Sequence, residues 1–143
     1  MKMKERKILF VCKFNQTRSQ IAQALFNKLN QKSFVKAYSA GVIKPEISRD
    51  LNKNLRKLFK KYSLKYGKPK QLSKKFLNKQ EMIIVVADDV PLLLFNSQKK
   101  NGISIVKWKV KDGWKYLQKT RFERLEQVYF DIEKRIKKLN INK

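Results

Sequence analysis

The sequence predicts an α/β fold built on an open sheet of mostly parallel strands. Four short apolar runs, the pattern of buried strands, alternate with segments of helical periodicity along the whole chain. The chain has 143 residues, the size of one ordinary domain, and contains no internal repeat or linker. We therefore expect a single domain over residues 1–143.

The first half of the chain supplies two strands and a helix. Residues 8–11 are continuously apolar, which indicates a strand covered on both faces. After a polar turn at residues 13–17, the apolar spacing of residues 19–29 fits a helix. Residues 33–38 predict a second strand with one wetter face, which ends at residues 39–41.

The second half continues the alternation. A basic amphipathic helix is expected over residues 48–62, and Gly67 and Pro69 stop it. Residues 73–78 predict a short helical turn.

Two more strands and a long helix complete the pattern. Residues 82–87 are apolar and rich in β-branched side chains, and residues 103–108 resemble them. Residues 121–139 place apolar side chains three or four apart, as expected for a long amphipathic helix.

Composition excludes several kinds of chemistry. The chain has no histidine, which rules out Ser-His-Asp and Cys-His catalysis and histidine-ligated metals. Its one cysteine, Cys12, rules out disulfide scaffolds and cysteine-rich zinc sites. We predict no metal and no cofactor.

The charge is strongly positive, with 36 Lys and Arg against 11 Asp and Glu, a formal +25. Such a surface attracts polyanions or phosphorylated substrates, but a lysine-rich composition explains it equally well. Between residues 53 and 79 the basic side chains form either a binding patch or, more simply, a solvated helix face. These are Lys53, Arg56, Lys57, Lys60, Lys61, Lys65, Lys68, Lys70, Lys74, Lys75 and Lys79.

No apolar run is long enough to cross a membrane, and the apolar stretch near the N-terminus is too short for a signal peptide. Together with the free thiol, this predicts a cytoplasmic protein with no membrane partner.

One loop brings chemistry together. Cys12 directly follows the first strand, Arg18 lies six residues later and Ser19 opens the helix. Ligands of open α/β sheets bind at the carboxyl ends of the strands. A loop of this length can turn its backbone N–H groups inward around an anion, and the helix N-terminus adds positive potential.

Each residue type in the loop suits phosphate chemistry. Cys12 is the expected nucleophile, in a setting that favours the thiolate, and Arg18 can grip two phosphate oxygens. Ser19 can donate to the sulfur, while Asn15 tolerates left-handed backbone. The phosphate-binding residues we predict are Lys13, Phe14, Asn15, Gln16, Thr17, Arg18 and Ser19.

The loop and the helix after it resemble the low-molecular-weight protein tyrosine phosphatase family, whose fold is shared by thioredoxin-coupled arsenate reductases. Residues 39–41, 86–88 and 108–112 match further family segments in order and spacing. The resemblance implies three layers: a four-stranded parallel sheet of order 2-1-3-4 with helices on both faces.

The resemblance also implies a general acid. Expelling an alkoxide or phenolate from phosphorus needs a proton donor, which without histidine must be a carboxyl group or a tyrosine. In Asp112-Gly113 the sequence alone suggests a turn residue; the resemblance makes Asp112 the acid and then the base. Asp88 and Asp89 either support the site or, as we favour, cap the next helix.

Some residues depart from the family pattern. Gly113 replaces the proline that usually follows the acid, so that segment is expected to be looser. Phe14 and Thr17 replace a glycine and a cysteine. Trp114 and Tyr116 either line the mouth of the site or belong to the core.

The expected function, as the resemblance implies, is hydrolysis of phosphomonoesters through a cysteinyl-phosphate, with protein tyrosine phosphatase as the favoured activity. The expected substrate is a phosphorylated protein or a small phosphomonoester. One alternative is a basic domain that binds nucleic acid or acidic protein and holds only a passive anion site. Arsenate reduction is less favoured, because thioredoxin-coupled reductases need further cysteines and none follows Cys12.

Overall fold

The computed structural model describes residues 4–139 and contains one sheet of four parallel strands in the order β2-β1-β3-β4. The strands are β1 (Arg6–Cys12), β2 (Val35–Gly41), β3 (Met82–Val86) and β4 (Ser104–Trp108). The expected strand order is thereby confirmed.

Within residues 4–139, five α-helices connect or follow the strands. They are α1 (Arg18–Leu29), α2 (Arg49–Lys61), α3 (Lys74–Asn78), α4 (Asn96–Lys100) and α5 (Arg121–Lys138). Short 3-10 turns at Leu92–Phe95 and Gly113–Lys115 were not expected from the sequence, nor was α4. Among the described residues, no helix is both long and apolar enough to cross a bilayer.

The helices cover both faces of the sheet, as expected. Ile8 and Phe10 of β1 point to one face, where they pack in a cluster with α1, α2 and α5. Leu9 and Val11 point to the other face and pack with α3 and with Phe95. The alternation of side chains along an extended strand produces the two cores.

Local signals set the helix ends near their predicted positions. The hydroxyl of Ser48 accepts a hydrogen bond from the backbone N–H of Leu51 and so caps α2. Thr120 and Glu123 form a reciprocal capping box at the start of α5.

The second strand differs from its prediction. It begins later, at Val35, and continues through Gly41, which pairs in register with Cys12. The reason is tertiary: Ser39 and Ala40 are polar or small, but β1 lies alongside them and continues the ladder to its own last residue. The carboxyl ends of β1 and β2 therefore meet at the loop that follows Cys12.

Candidate active site

The loop at residues 13–17 connects β1 to α1 at the carboxyl edge of the sheet. Cys12, at the start of the loop, is only 3% exposed, but it lines a cleft of about 270 Å³. Phe14, Gln16, Thr17 and Arg18 line the same cleft. Of the other loop residues predicted to bind phosphate, Lys13, Asn15 and Ser19 do not line it.

The buried side chains of Asn15 and Ser19 form a chain of hydrogen bonds to the sulfur. Asn15 has a φ of 56° and donates from Nδ2 to Ser19 Oγ at 2.7 Å. Ser19 Oγ lies 2.9 Å from Cys12 Sγ. Because the serine oxygen already accepts from Asn15, its own hydrogen is available to donate to the sulfur.

Distant segments hold the loop in place. The side-chain oxygen of Asn15 accepts from the backbone N–H of Lys70 at 3.0 Å. The hydroxyl of Tyr66 donates to the backbone oxygen of Gln16 at 3.0 Å. Burial, and then the negative charge of Cys12, raise the pKa of Tyr66 to about 12, so this hydroxyl remains a donor at neutral pH.

Several donors in the loop are unused by the protein. Within residues 4–139, no backbone N–H of residues 14–17 donates to another group, nor does Nε2 of Gln16, although Gln16 is only 7% exposed. A buried donor without a partner costs free energy. Such a loop is suited to bind an anion, which supplies the missing acceptors.

Arg18 is buried among negative groups. Its Nη1 donates to the backbone oxygen of Val110 at 3.1 Å and lies 3.0 Å from an oxygen of Asp89 and 3.4 Å from one of Asp88. Its Nη2 lies 3.9 Å from Oδ2 of Asp112. The guanidinium is thus anchored on one side by the ends of two strands and lines the cleft beside Cys12.

The charges in this cluster are mutually dependent. Burial works to lower the pKa of Arg18, but the negative charges of Cys12 and the neighbouring carboxylates outweigh it and raise that pKa. Burial likewise opposes ionisation of Asp89, but the hydrogen bond from Arg18 outweighs it and holds the pKa of that carboxyl below its ordinary value. Arg18 and Asp89 therefore stay ionised together.

The favoured interpretation of Asp88 and Asp89 as helix caps was wrong. The next helical turn begins only at Leu92, after Pro91, and has no side-chain cap. Both carboxylates instead contact Arg18, 70 and 71 residues away in the sequence. Nothing local distinguishes these two uses of an aspartate after a strand.

Asp112 reaches the cleft from the segment after β4. It precedes the 3-10 turn at Gly113–Lys115, and its Oδ1 accepts from the backbone N–H of Gly113 at 2.7 Å. Trp114 lines the mouth of the cleft and is 74% exposed. Tyr116 packs against the larger core, so only one of these two aromatic residues lies at the mouth.

Sequence reasoning missed much of the cleft wall. Glu46, Ser48 and Leu51 come from the loop before α2 and from its first turn, and Arg121, Arg124 and Leu125 from the start of α5. These residues carry no motif, and only packing of α2 and α5 over the loop reveals them. The eleven basic residues between 53 and 79 are all exposed; they lie on α2, on α3 and in the loop between them, except Lys79, which directly follows α3.

The described residues contain no group of three or more acidic, cysteine or histidine side chains arranged to hold a metal ion. The carboxylates of Asp88, Asp89 and Asp112 surround Arg18 instead. The chemistry that this arrangement permits is nucleophilic: a thiol beside an arginine, with a carboxyl group at hand.

Comparisons with known proteins agree with this geometry. A family model described as low molecular weight phosphotyrosine protein phosphatase matches residues 7–142. No curated protein matches the chain significantly.

Solved structures of similar fold carry different activities. A low molecular weight protein tyrosine phosphatase from Streptococcus pyogenes is 21% identical, with a TM-score of 0.71 and coverage of 96% of this chain and 95% of that one. An arginine phosphatase from Geobacillus stearothermophilus is 20% identical, with a TM-score of 0.64 and coverage of 93% and 92%. An arsenate reductase from Archaeoglobus fulgidus is 24% identical, with a TM-score of 0.60 and coverage of 92% and 99%. At these identities the likeness is one of fold.

Proposed function

Since this chain belongs to the low molecular weight phosphotyrosine protein phosphatase family, we propose that it hydrolyses phosphomonoesters, with phosphotyrosine in protein as the preferred substrate. The observation that carries the proposal is the convergence of Cys12, Arg18 and Asp112 on one cleft. These residues come from the end of β1, the start of α1 and the segment after β4.

In the first step, Cys12 Sγ attacks phosphorus as a thiolate, an S–P bond forms and the P–O bond to the leaving group breaks. The hydroxyl of Ser19, 2.9 Å from the sulfur, stabilises the ionised form by donating to it. Arg18, the unpaired backbone amides of residues 14–17 and Nε2 of Gln16 bind the equatorial oxygens, on which charge accumulates.

Asp112 completes both steps. It donates its proton to the departing oxygen, so that an alcohol or phenol leaves rather than an anion. It then accepts a proton from a water molecule that attacks the cysteinyl-phosphate. The S–P bond breaks, inorganic phosphate forms, and Cys12 leaves as the thiolate.

The cleft walls support an aromatic leaving group. Phe14 and Trp114 offer ring faces, and Leu51 and Leu125 add apolar surface. A tyrosine ring would be sandwiched between such walls while its phosphate occupies the loop. Within this sequence no second cysteine is available for the disulfide that a thioredoxin-coupled arsenate reductase forms, which favours hydrolysis.

The same proposal has consequences for the cellular location of the protein and for its partners. A nucleophilic thiol must stay reduced, which favours a cytoplasmic location. The exposed basic residues between 53 and 79 would attract an acidic phosphoprotein, most strongly at low ionic strength.

The test uses the single cysteine. Cys12→Ser should abolish hydrolysis of p-nitrophenyl phosphate while phosphate binding is retained. Serine preserves the conformation of the loop but is a far weaker nucleophile. In the wild type, iodoacetate should alkylate one site and phosphate should protect it. Unchanged turnover in Cys12→Ser would overturn the proposal, and salt-sensitive polynucleotide binding without turnover would favour a passive basic binding domain.

The preferred substrate needs a separate comparison. We expect kcat/KM for a phosphotyrosine peptide to exceed that for the matched phosphoarginine peptide. Arsenate reduction with small thiols should be slow, since no resolving cysteine is present. A higher kcat/KM for the phosphoarginine peptide would leave the phosphatase assignment intact but make phosphoarginine the preferred substrate.

A further inference from the structure

Asp112 precedes a short 3-10 turn, Gly113–Lys115, in which only Gly113 is buried. Gly113 follows the aspartate, and glycine has the largest backbone freedom of any residue. The next side chain, Trp114, is 74% exposed and contributes little packing. Two backbone hydrogen bonds close the turn, from Lys115 N to Asp112 O at 3.1 Å and from Tyr116 N to Gly113 O at 3.1 Å.

These bonds shape the turn but do not attach it to the sheet. Gly113 is buried and Tyr116 packs against the larger core. Lys115 adds a hydrogen bond from a side chain of the turn to another segment: its Nζ donates to Oδ2 of Asp88 at 2.8 Å. Asp88 lies just beyond β3, and its backbone N–H donates to Val110 O at 3.0 Å. The side chains of Lys115 and Asp88 are 31% and 23% exposed, so water screens this ion pair less than a surface pair.

The same carboxylate also reaches the site. Oδ1 of Asp88 accepts from Arg18 Nη1 at 3.4 Å, while Oδ2 is bound to Lys115. On the turn itself, Gly113 N holds Oδ1 of Asp112, and Oδ2 lies 3.9 Å from Arg18 Nη2. Asp88 therefore connects the turn that carries Asp112 to the arginine beside which Asp112 must stand.

We propose that Lys115 is a positioning residue for the general acid: its ion pair with Asp88 holds the 112–116 segment so that the Asp112 carboxyl group stays beside Arg18 and the leaving group. This rests on the proposed function, in which Asp112 is the acid. Lys115 itself does not line the cleft, so it acts through the turn and not on the substrate.

Two other roles for Lys115 make different predictions. If it served only to tune Arg18 through Asp88, its loss would weaken phosphate binding for every substrate alike. If it served only stability, its loss would lower the unfolding temperature without altering selectivity among substrates. Only a positioning role predicts that loss of Lys115 harms most those substrates whose leaving group needs a proton donor.

The experiment compares Lys115→Met with Lys109→Met, which removes the same charge from an exposed lysine. Within residues 4–139 the side chain of Lys109 makes no hydrogen bond, ion pair or ring contact. We measure kcat/KM for p-nitrophenyl phosphate and phenyl phosphate. Phenolate is as basic as tyrosinate (pKa ~10), so it needs protonation on leaving far more than p-nitrophenolate does. Lys115→Met should lower kcat/KM about tenfold for phenyl phosphate and less than about threefold for p-nitrophenyl phosphate. Lys109→Met should change neither.

The same measurement is then repeated in an Asp112→Asn background, where Lys115→Met should have no further effect on phenyl phosphate. Lys115→Arg, which keeps the ion pair, should restore the selectivity of the wild type. If Lys115→Met does not fold, a wild-type ratio of the two kcat/KM values in Lys115→Gln, which lacks the charge, would refute the proposal.

The outcomes separate this inference from the function beneath it. Equal losses on both substrates, or a full effect of Lys115→Met without the Asp112 carboxyl group, would overturn the positioning role and leave the phosphatase assignment standing. An Asp112→Asn variant with wild-type kcat/KM on phenyl phosphate would overturn the assignment of Asp112 as the general acid.

Discussion

Gly41 offers a sharp test of how the phosphate-binding loop is supported. It is the last residue of β2 and pairs with Cys12. A Cβ at this position would lie 2.5 Å from the carbonyl carbon of Phe14 and 2.6 Å from the backbone nitrogen of Asn15. Both are backbone atoms of the loop, so no side chain can rotate away, and Gly41→Ala must displace the loop or the strand.

The size of the displacement follows from the contact distance. Carbon atoms pack at ~3.5–4.0 Å, so the loop must retreat by about 1 Å. Misplacing a catalytic group by about 1 Å costs on the order of 100-fold in rate, and overpacking of this kind costs about 1–3 kcal/mol of unfolding free energy. We expect both losses in Gly41→Ala.

The assay is kcat/KM for p-nitrophenyl phosphate, together with the inhibition constant of phosphate and thermal unfolding. Gly67→Ala is the matched control, because its Cβ would meet only the side-chain amide of Gln20, with Oε1 at 3.5 Å and Nε2 at 3.9 Å, which are ordinary contacts. It should keep full activity. A folded Gly41→Ala with wild-type kcat/KM and phosphate affinity would refute the claim that the close approach of β2 sets the loop geometry.

Two further predictions concern the unpaired amide of Gln16 and the partly buried carboxylate of Glu126. Gln16→Leu should weaken phosphate inhibition about 10- to 100-fold, since a hydrogen bond to a charged group is worth ~1.5–3 kcal/mol. The same substitution should raise the unfolding free energy by about 1 kcal/mol, because it removes a buried donor that has no partner. Gln98→Leu, far from the cleft, should leave phosphate inhibition unchanged, and equal inhibition in both variants would contradict this. Burial opposes ionisation of Glu126, but hydrogen bonds from Lys61 and Tyr62 outweigh it and lower its pKa. The resulting stability is present above its ordinary pKa of ~4.3 and is lost as pH falls through the lower folded value. In urea titrations at pH 7, Glu126→Gln should therefore have a lower free energy of unfolding than the wild type. The difference between the two proteins should narrow below about pH 4. A difference that does not change with pH would contradict the lowered pKa of Glu126.

The strands and the nucleophilic loop were predictable because their signals are local. Residues 8–11 and 82–87 are apolar without interruption, which identifies buried strands whatever surrounds them. The family resemblance added the sheet order, which the structure confirms. The role of Asp112 stays a prediction, and only its position beside Arg18 is observed.

Other features of the site have no local signature. Asp88 and Asp89 were expected to cap a helix, yet they bind Arg18 across 70 residues of sequence. Lys115 is one of many lysines, and only its 2.8 Å contact with Asp88 distinguishes it. Gly41 was part of a family match, but the reason for a glycine there is the backbone of Phe14, which lies too close for any Cβ.

The sequence alone determined the four strands, the longer helices and the place where a thiol meets a helix N-terminus, because hydrophobic periodicity and turn chemistry act over a few neighbouring residues. Tertiary structure decided which carboxylates hold the arginine, which helices wall the cleft and how closely the second strand approaches the loop. Those are contacts between residues far apart in the chain, and they exist only once burial of the two cores has brought the strand ends together.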